Sequence, residues 1–122
     1  MSIMTSTEIF DRTHRLDIHE ITRQLISALG PTLVAALAGS TDRGMPNRWA
    51  KGTTPRQESI TRLTLAHRVW TQVEQAEGEH LARAWFIGGN PMLNEDTPIT
   101  AIRQDRGREV VNAAEAFAEN SR

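Results

Sequence analysis

Apolar residues recur along most of this chain at intervals of three and four positions, which is the period of an amphipathic α-helix. The pattern is clearest over residues 18–29 and over a longer stretch at about 56–75. No stretch alternates apolar and polar residues for long, and tyrosine is absent, so strand signals are weak. The sequence therefore predicts an all-α fold, a compact helical bundle.

Capping and turn residues divide this pattern into shorter helices. Asp17 and Glu20 form a capping box at the start of the first helix. A short second helix follows with Thr32 as its cap, and a third runs from Pro46 to Gly52. The remaining predicted elements are the long helix, an interruption at Glu77-Gly78, a helix carrying Leu81, Ala84 and Trp85, a loop over 90–96, a helix started by Thr97-Pro98, and a last helix over 107–118.

Length and composition fit one compact domain: the chain has 122 residues, of which 39% are hydrophobic. Cysteine is absent, which excludes disulfides, thiolate zinc sites and cysteine nucleophiles and favours a cytoplasmic location. The first ten residues lack the pattern of a secretory signal, and no run of about 18 apolar residues occurs. We therefore expect no association with a membrane.

The formal net charge of -1 conceals an uneven distribution. The net charge is -1 over residues 1–30, +4 over 31–68 and -4 over 69–122. A basic middle beside an acidic end indicates two surfaces for two kinds of partner, the basic one facing phosphates. The alternative is a chance clustering of solvated charges.

Two short helices joined by a tight turn, within residues 33–55, describe a helix-turn-helix in outline. Trp49 is expected to be the buried anchor of the second of these helices. Gly44 and Pro46 stand where a recognition helix begins and displace its start. A helix-turn-helix shape kept as a scaffold or dimer surface is therefore an equal alternative. The candidate DNA-contacting residues are Arg43, Asn47, Arg48, Lys51 and Arg56.

Patterns that carry catalysis do not occur in the sequence. The histidines at 14, 19, 67 and 80 lack metal-ligand spacing, and Gly88-Gly89 lacks the glycine spacing and lysine of a phosphate-binding loop. No serine lies in a glycine-flanked elbow. We predict a protein that is not an enzyme and needs no cofactor.

The most distinctive stretch is Ala84-Trp85-Phe86-Ile87-Gly88-Gly89-Asn90-Pro91-Met92-Leu93, followed by Thr97-Pro98-Ile99, Ile102, Gly107, Val110 and Val111. This stretch resembles the C-terminal domain of the Xre/MbcA/ParS-type antitoxins, which has a tryptophan-containing helix end, an Asn-Pro loop with a leucine, a proline-led helix and a glycine before the last helix. The resemblance covers about residues 60–117, and the helix-turn-helix-like segment is similar to the upstream half of the same proteins. Asn94-Glu95-Asp96 departs from that pattern, because it replaces a glycine-rich step common after the loop leucine.

The resemblance implies that the C-terminal part binds and neutralises a RES-domain toxin, which consumes NAD, by covering the entrance to its active site. Trp85, Phe86, Met92 and Leu93 supply apolar contact if they are exposed. For Trp85 and Leu93 we favour the alternative, a position in the core. The candidate toxin-binding residues are Trp85, Asn90, Pro91, Met92, Leu93, Arg103, Glu119, Asn120 and Arg122.

These observations combine into one hypothesis, a type II antitoxin that binds a cognate RES-domain toxin and autoregulates its operon through DNA. It divides the chain into a flexible N-terminus (1–16), a helix-turn-helix-like segment (17–55) and a helical toxin-binding domain (56–122), the last two in one compact unit, and includes a homodimer. The alternative is a stand-alone helix-turn-helix transcription regulator whose C-terminal domain dimerises.

Overall fold

The computed structural model describes residues 16–121. Within that range the chain forms seven α-helices and one 3-10 turn, and no strand. The all-α prediction is confirmed. The predictions made for residues 1–15 and for Arg122 lie outside the described residues. The elements are α1 (Ile18–Leu29), α2 (Pro31–Ala38), α3 (Met45–Ala50), α4 (Gln57–Glu77), α5 (Glu79–Ile87), the 3-10 turn (Pro91–Leu93), α6 (Pro98–Arg103) and α7 (Gly107–Asn120).

Helix boundaries follow the local signals closely. The Asp17 carboxylate accepts a hydrogen bond from the backbone N–H of Glu20 at 2.8 Å, which caps α1. The Thr97 hydroxyl accepts one from the backbone N–H of Thr100 at 3.1 Å and caps α6. Gly78 separates α4 from α5 with φ of 87°, a conformation that costs glycine little. The predicted interruption of the long helix is therefore confirmed.

The predicted bounds of three helices were wrong by one or two residues. Pro31 is the first residue of α2 and Thr32 is helical, because the ring of proline presets the φ of a first turn. α3 begins at Met45 and ends at Ala50, which is shorter than predicted. α7 continues to Asn120, so Glu119 and Asn120 belong to its last turn.

The core is organised around α4, which contacts α1, α2, α5, α6 and α7. Buried side chains on α4 are packed with residues from the N-terminal and the C-terminal parts of the described chain, from Leu25 on α1 to Val110 on α7. Of the apolar period predicted for this helix, Leu63 and Val73 are buried, whereas Ile60, His67 and Trp70 are half-buried. Ala66 and Val69 are buried as well, because neighbours on several sides bury more than one narrow stripe.

None of the helices between residues 16 and 121 has the length and apolar content needed to cross a bilayer.

Candidate functional site

The segment between α5 and α6 forms a closed loop. The Asn90 side chain accepts a hydrogen bond from the backbone N–H of Met92 at 2.9 Å, and the Asn90 carbonyl accepts from the N–H groups of Leu93 and Glu95, each at 2.9 Å. The N–H of Asn90 in turn donates to the carbonyl of Asp96 at 3.1 Å. Leu93 is fully buried. These contacts join the two ends of the loop and pin its middle to the core.

The loop backbone adopts conformations that usually require glycine. A Cβ at Gly89 would lie 2.8 Å from the carbonyl oxygen of Glu95, so the two sides of the loop approach too closely for a side chain at this position. Asn94 and Glu95 have φ of 57° and 70°, in the left-handed region that β-carbons disfavour. The backbone therefore turns in a glycine-like way at the position where this sequence departs from the glycine-rich step.

The guanidinium of Arg106 connects this loop to the start of α7. Its Nη1 donates to the Asp96 carboxylate at 2.7 Å, its Nη2 to the carbonyl of Leu93 at 3.1 Å, and its Nε to the Glu109 carboxylate at 2.6 Å. The hydrogen bonds that Arg106 donates to the Glu109 and Asp96 carboxylates raise its pKa. Sequence reasoning missed this residue, because nothing in its spacing links it to a loop ten residues earlier.

The four predicted loop residues divide by exposure. Met92 is 53% exposed and Pro91 is also exposed, whereas Asn90 is half-buried and uses its side chain to cap the 3-10 turn. Leu93 is fully buried and offers no surface to a partner. Its position in the core, the favoured alternative, is confirmed. Of these four residues, Pro91 and Met92 are therefore the ones whose side chains lie at the surface.

Two exposed apolar residues on α5 were not among the predicted site residues. Leu81 is 51% exposed and Ile87 is 50% exposed. They face solvent because α5 buries Ala82 and Phe86 against the core. Phe86 is fully buried, so the contact that the sequence assigned to it if exposed is not available. Leu81, Ile87 and Met92 therefore place three exposed apolar side chains within the segment 81–92.

Trp85 is half-buried between two phenylalanines. Its ring lies 5.3 Å from that of Phe86 and 6.1 Å from that of Phe117 on α7, measured between centroids. Such edge-to-face and tilted aromatic contacts contribute to the stability of the fold beyond the area that they bury. Trp85 therefore joins α5 to the C-terminal half of α7 and leaves part of its ring at the surface.

The other predicted toxin-binding residues lie away from the loop along the chain. Arg103, Glu119 and Asn120 are exposed, the first at the end of α6 and the others in the last turn of α7. Arg106 fixes the loop to the first turn of α7, whereas Phe117 lies about 16 Å further along the helix axis by its rise per residue. Along the chain, the candidates in the described residues therefore lie in the segment 85–93, at the end of α6 and in the last turn of α7.

The five candidate DNA-contacting residues are all exposed, on α3 and on the segments before and after it: Arg43, Asn47, Arg48, Lys51 and Arg56. Arg48 forms an ion pair with Asp42, with Nη1 and Oδ2 3.0 Å apart. The backbone N–H of Gly44 and the hydrogen bond from Arg48 hold the pKa of Asp42 below its ordinary value. Trp49 is 3% exposed, which confirms it as the anchor of α3.

An open groove of about 400 Å³ lies between the end of α2 and the start of α4. Trp49 and the side chain of Arg56 are among its lining residues, together with the turn of residues 39–42. Across residues 16–121 no group of three or more His, Asp or Glu side chains is arranged to hold a metal ion. The surfaces that stand out in this part of the chain are thus the loop with α5, and the neighbourhood of α3.

The described chain is thus a small all-α protein whose helices share one core and whose longest connection is a closed loop that exposes Pro91 and Met92. No family model matches the sequence, and no curated protein is significantly similar to it. The fold is similar to that of a chain in the crystal structure of the M. tuberculosis MbcT-MbcA toxin-antitoxin complex, with a TM-score of 0.71 and 20% sequence identity. The similarity covers 87% of this chain and 97% of that chain. The resemblance to the MbcA-type antitoxins is thereby confirmed at the level of the fold.

Proposed function

We propose that this chain is the antitoxin of a type II toxin-antitoxin pair and acts by binding its toxin. The observation that carries the proposal is the similarity of fold to the antitoxin of the MbcT-MbcA complex over nearly the whole of both chains. The sequence resemblance over residues 60–117 supports it independently, because it rests on particular residues and not on the helix arrangement. In this role the chain is a binding protein and not an enzyme.

The partner that we propose is a RES-domain toxin that consumes NAD. This part of the proposal rests on the sequence resemblance to the Xre/MbcA/ParS-type antitoxins. The acidic balance of residues 69–122, with a net charge of -4, suits contact with a pocket built for a phosphate-bearing cofactor. Glu119 and Asn120, exposed at the end of α7, are the residues that we assign to this polar contact.

The apolar part of the contact is assigned to the loop and α5. Ile87 and Met92 are each about half exposed, and large flexible apolar side chains are favoured in the centres of protein interfaces. Leu93 holds the loop from beneath, since it is fully buried. Toxin binding in this proposal therefore depends directly on Met92 and Ile87, and indirectly on the core that carries them.

Co-expression tests the proposal. The chain is produced together with the protein of the adjacent reading frame, and growth, cellular NAD and co-purification are measured. We expect the wild-type chain to restore growth and NAD and to form a stable complex. We expect Met92→Asp to lose the restoration and the complex. Leu16→Asp is the matched control, because Leu16 is an exposed apolar residue outside the segment 81–92. Failure of the wild-type chain to bind or to restore growth contradicts the proposal.

We propose DNA binding as a second activity, favoured by the exposed cationic residues on and around α3. A mobility-shift assay with the chain's own upstream DNA compares Arg48→Ala plus Lys51→Ala with a control, Arg103→Ala plus Arg108→Ala, which removes the same charge elsewhere on the exposed surface. We expect a salt-sensitive shift that the first pair weakens and the control retains. Absence of a shift contradicts DNA binding, whereas a shift without any toxin complex supports the stand-alone regulator.

Sedimentation of the free chain tests the predicted homodimer.

A further inference from the structure

The contacts of Arg106 surround the most strained part of the loop. Its guanidinium donates to the carbonyl of Leu93 and to the carboxylate of Asp96, the residues immediately before and after the left-handed pair. Its Nε is bound to Glu109, so the same group is anchored on α7. One side chain therefore clamps both flanks of the turn at Asn94 and Glu95 to a rigid helix.

Left-handed backbone at non-glycine residues persists where the surrounding structure determines it. Asn94 and Glu95 adopt it in succession, with φ of 57° and 70°. Released from its surroundings, this turn has more favourable conformations available, and those would displace Met92. The hydrogen bonds within the loop join its own residues, whereas those of Arg106 connect it to α7.

We propose that Arg106 is the positioning residue of the toxin-contacting loop, which it holds in the conformation that presents Met92. This inference rests on the proposed function for the identity of the partner. The side chain of Arg106 is 22% exposed and its donors are directed at the loop, at Glu109 and at Gln104, so it acts through the loop and not by touching the toxin.

Positioning and contact differ in their kinetic signatures. A chain whose loop is in the competent conformation for a smaller fraction of the time binds with a correspondingly smaller association rate constant, while the complex once formed dissociates as before. Removal of a contact residue instead raises the dissociation rate constant. We therefore expect Arg106→Gln to raise the ratio of open to closed loop about tenfold or more, the change that loss of a charge-assisted hydrogen bond produces, and to slow association in proportion to the fraction of closed loop that is lost. Met92→Ala is expected to accelerate dissociation.

The test uses Arg106→Gln in the full chain, with two measurements. Amide exchange of the free protein is followed by NMR at residues 93–96, and binding kinetics are measured with the protein of the adjacent reading frame as the probe. We expect exchange of the loop amides to increase about tenfold or more while amides of α4 are unchanged, and we expect the slower association described above. Arg108→Gln is the matched control, since Arg108 is exposed on α7 and forms no ion pair with any residue of 16–121.

Unchanged exchange in the loop overturns the inference, and so does an increased dissociation rate constant with normal association, which would make Arg106 a contact residue. If Arg106→Gln does not fold, Asp96→Asn removes the loop side of the same ion pair and takes its place. A wild-type chain that does not bind the probe contradicts the proposed function, while the exchange measurement on the free protein still decides whether Arg106 holds the loop.

Discussion

Leu93 and Met92 are consecutive residues of one turn, and the structure gives them opposite roles. Leu93 is fully buried and Met92 is 53% exposed. Leu93→Ala removes buried methyl groups and leaves a cavity beneath the loop, which costs about 3 kcal/mol in the free energy of unfolding, within the range usual for buried leucines. Met92→Ala removes a side chain that is half in solvent and is expected to change stability by no more than about 0.5 kcal/mol.

Urea denaturation measures both free energies, provided that the dependence on denaturant is the same in all three proteins. For a chain of this size we expect Leu93→Ala to lower the Tm by roughly 12 °C and Met92→Ala by roughly 2 °C. In binding to the proposed toxin, Met92→Ala should have the larger direct effect of the two, which is a faster dissociation. Equal destabilisation by the two variants, or a Leu93→Ala protein as stable as wild type, would refute the assignment of one residue to the core and the other to the surface.

Three further predictions concern the loop and the ion pair between Arg62 and Asp105. Glu95→Gly should raise the free energy of unfolding by about 0.5 kcal/mol, because glycine adopts a φ of 70° without the penalty that a β-carbon adds, and thermal unfolding measures it. Gly89→Ala should lower it by about 2 kcal/mol, since its Cβ would meet the Glu95 carbonyl, and a Gly89→Ala protein of unchanged Tm would contradict the loop geometry. Paired hydrogen bonds from Arg62 at 3.0 Å hold the pKa of Asp105 below its ordinary value, so the unfolded chain takes up the proton first as pH falls. The stabilisation is therefore present above pH about 4 and is lost below it, and Asp105→Asn should reduce the acid dependence of unfolding measured from pH 5 to pH 2.

Much of the fold could be predicted from the sequence because its signals are local. The caps at Asp17 and Thr97 and the interruption at Gly78 depend on a few neighbouring residues, and all three were found where expected. The exposed face of α5 was not predicted, because the burial of Phe86 depends on which helices pack against α5. Periodicity gives the spacing of a buried face, but tertiary contacts determine how wide that face is.

The candidate site was predicted only in part, because only some of the contacts that form it are local in sequence. Exposed Met92 and buried Leu93 follow from the loop motif, whereas the role of Arg106 arises from contacts across ten residues that no spacing rule describes. The left-handed turn at Asn94 and Glu95 shows the limit most clearly. The sequence lacks the glycines that would indicate this conformation, and the surrounding hydrogen bonds stabilise it instead.

Binding between the purified chain and the purified protein of the adjacent reading frame, which we propose to be a RES-domain toxin, tests the central claim most directly. Isothermal titration combined with gel filtration should show one stable complex with the wild-type chain. The double variant Ile87→Asp plus Met92→Asp should fold normally, because both side chains are about half exposed in the free protein. It should fail to form the complex, because both side chains belong to the proposed contact surface. No complex with the wild-type chain at micromolar concentrations would contradict the antitoxin assignment, and an unimpaired complex with the double variant would contradict the proposed surface.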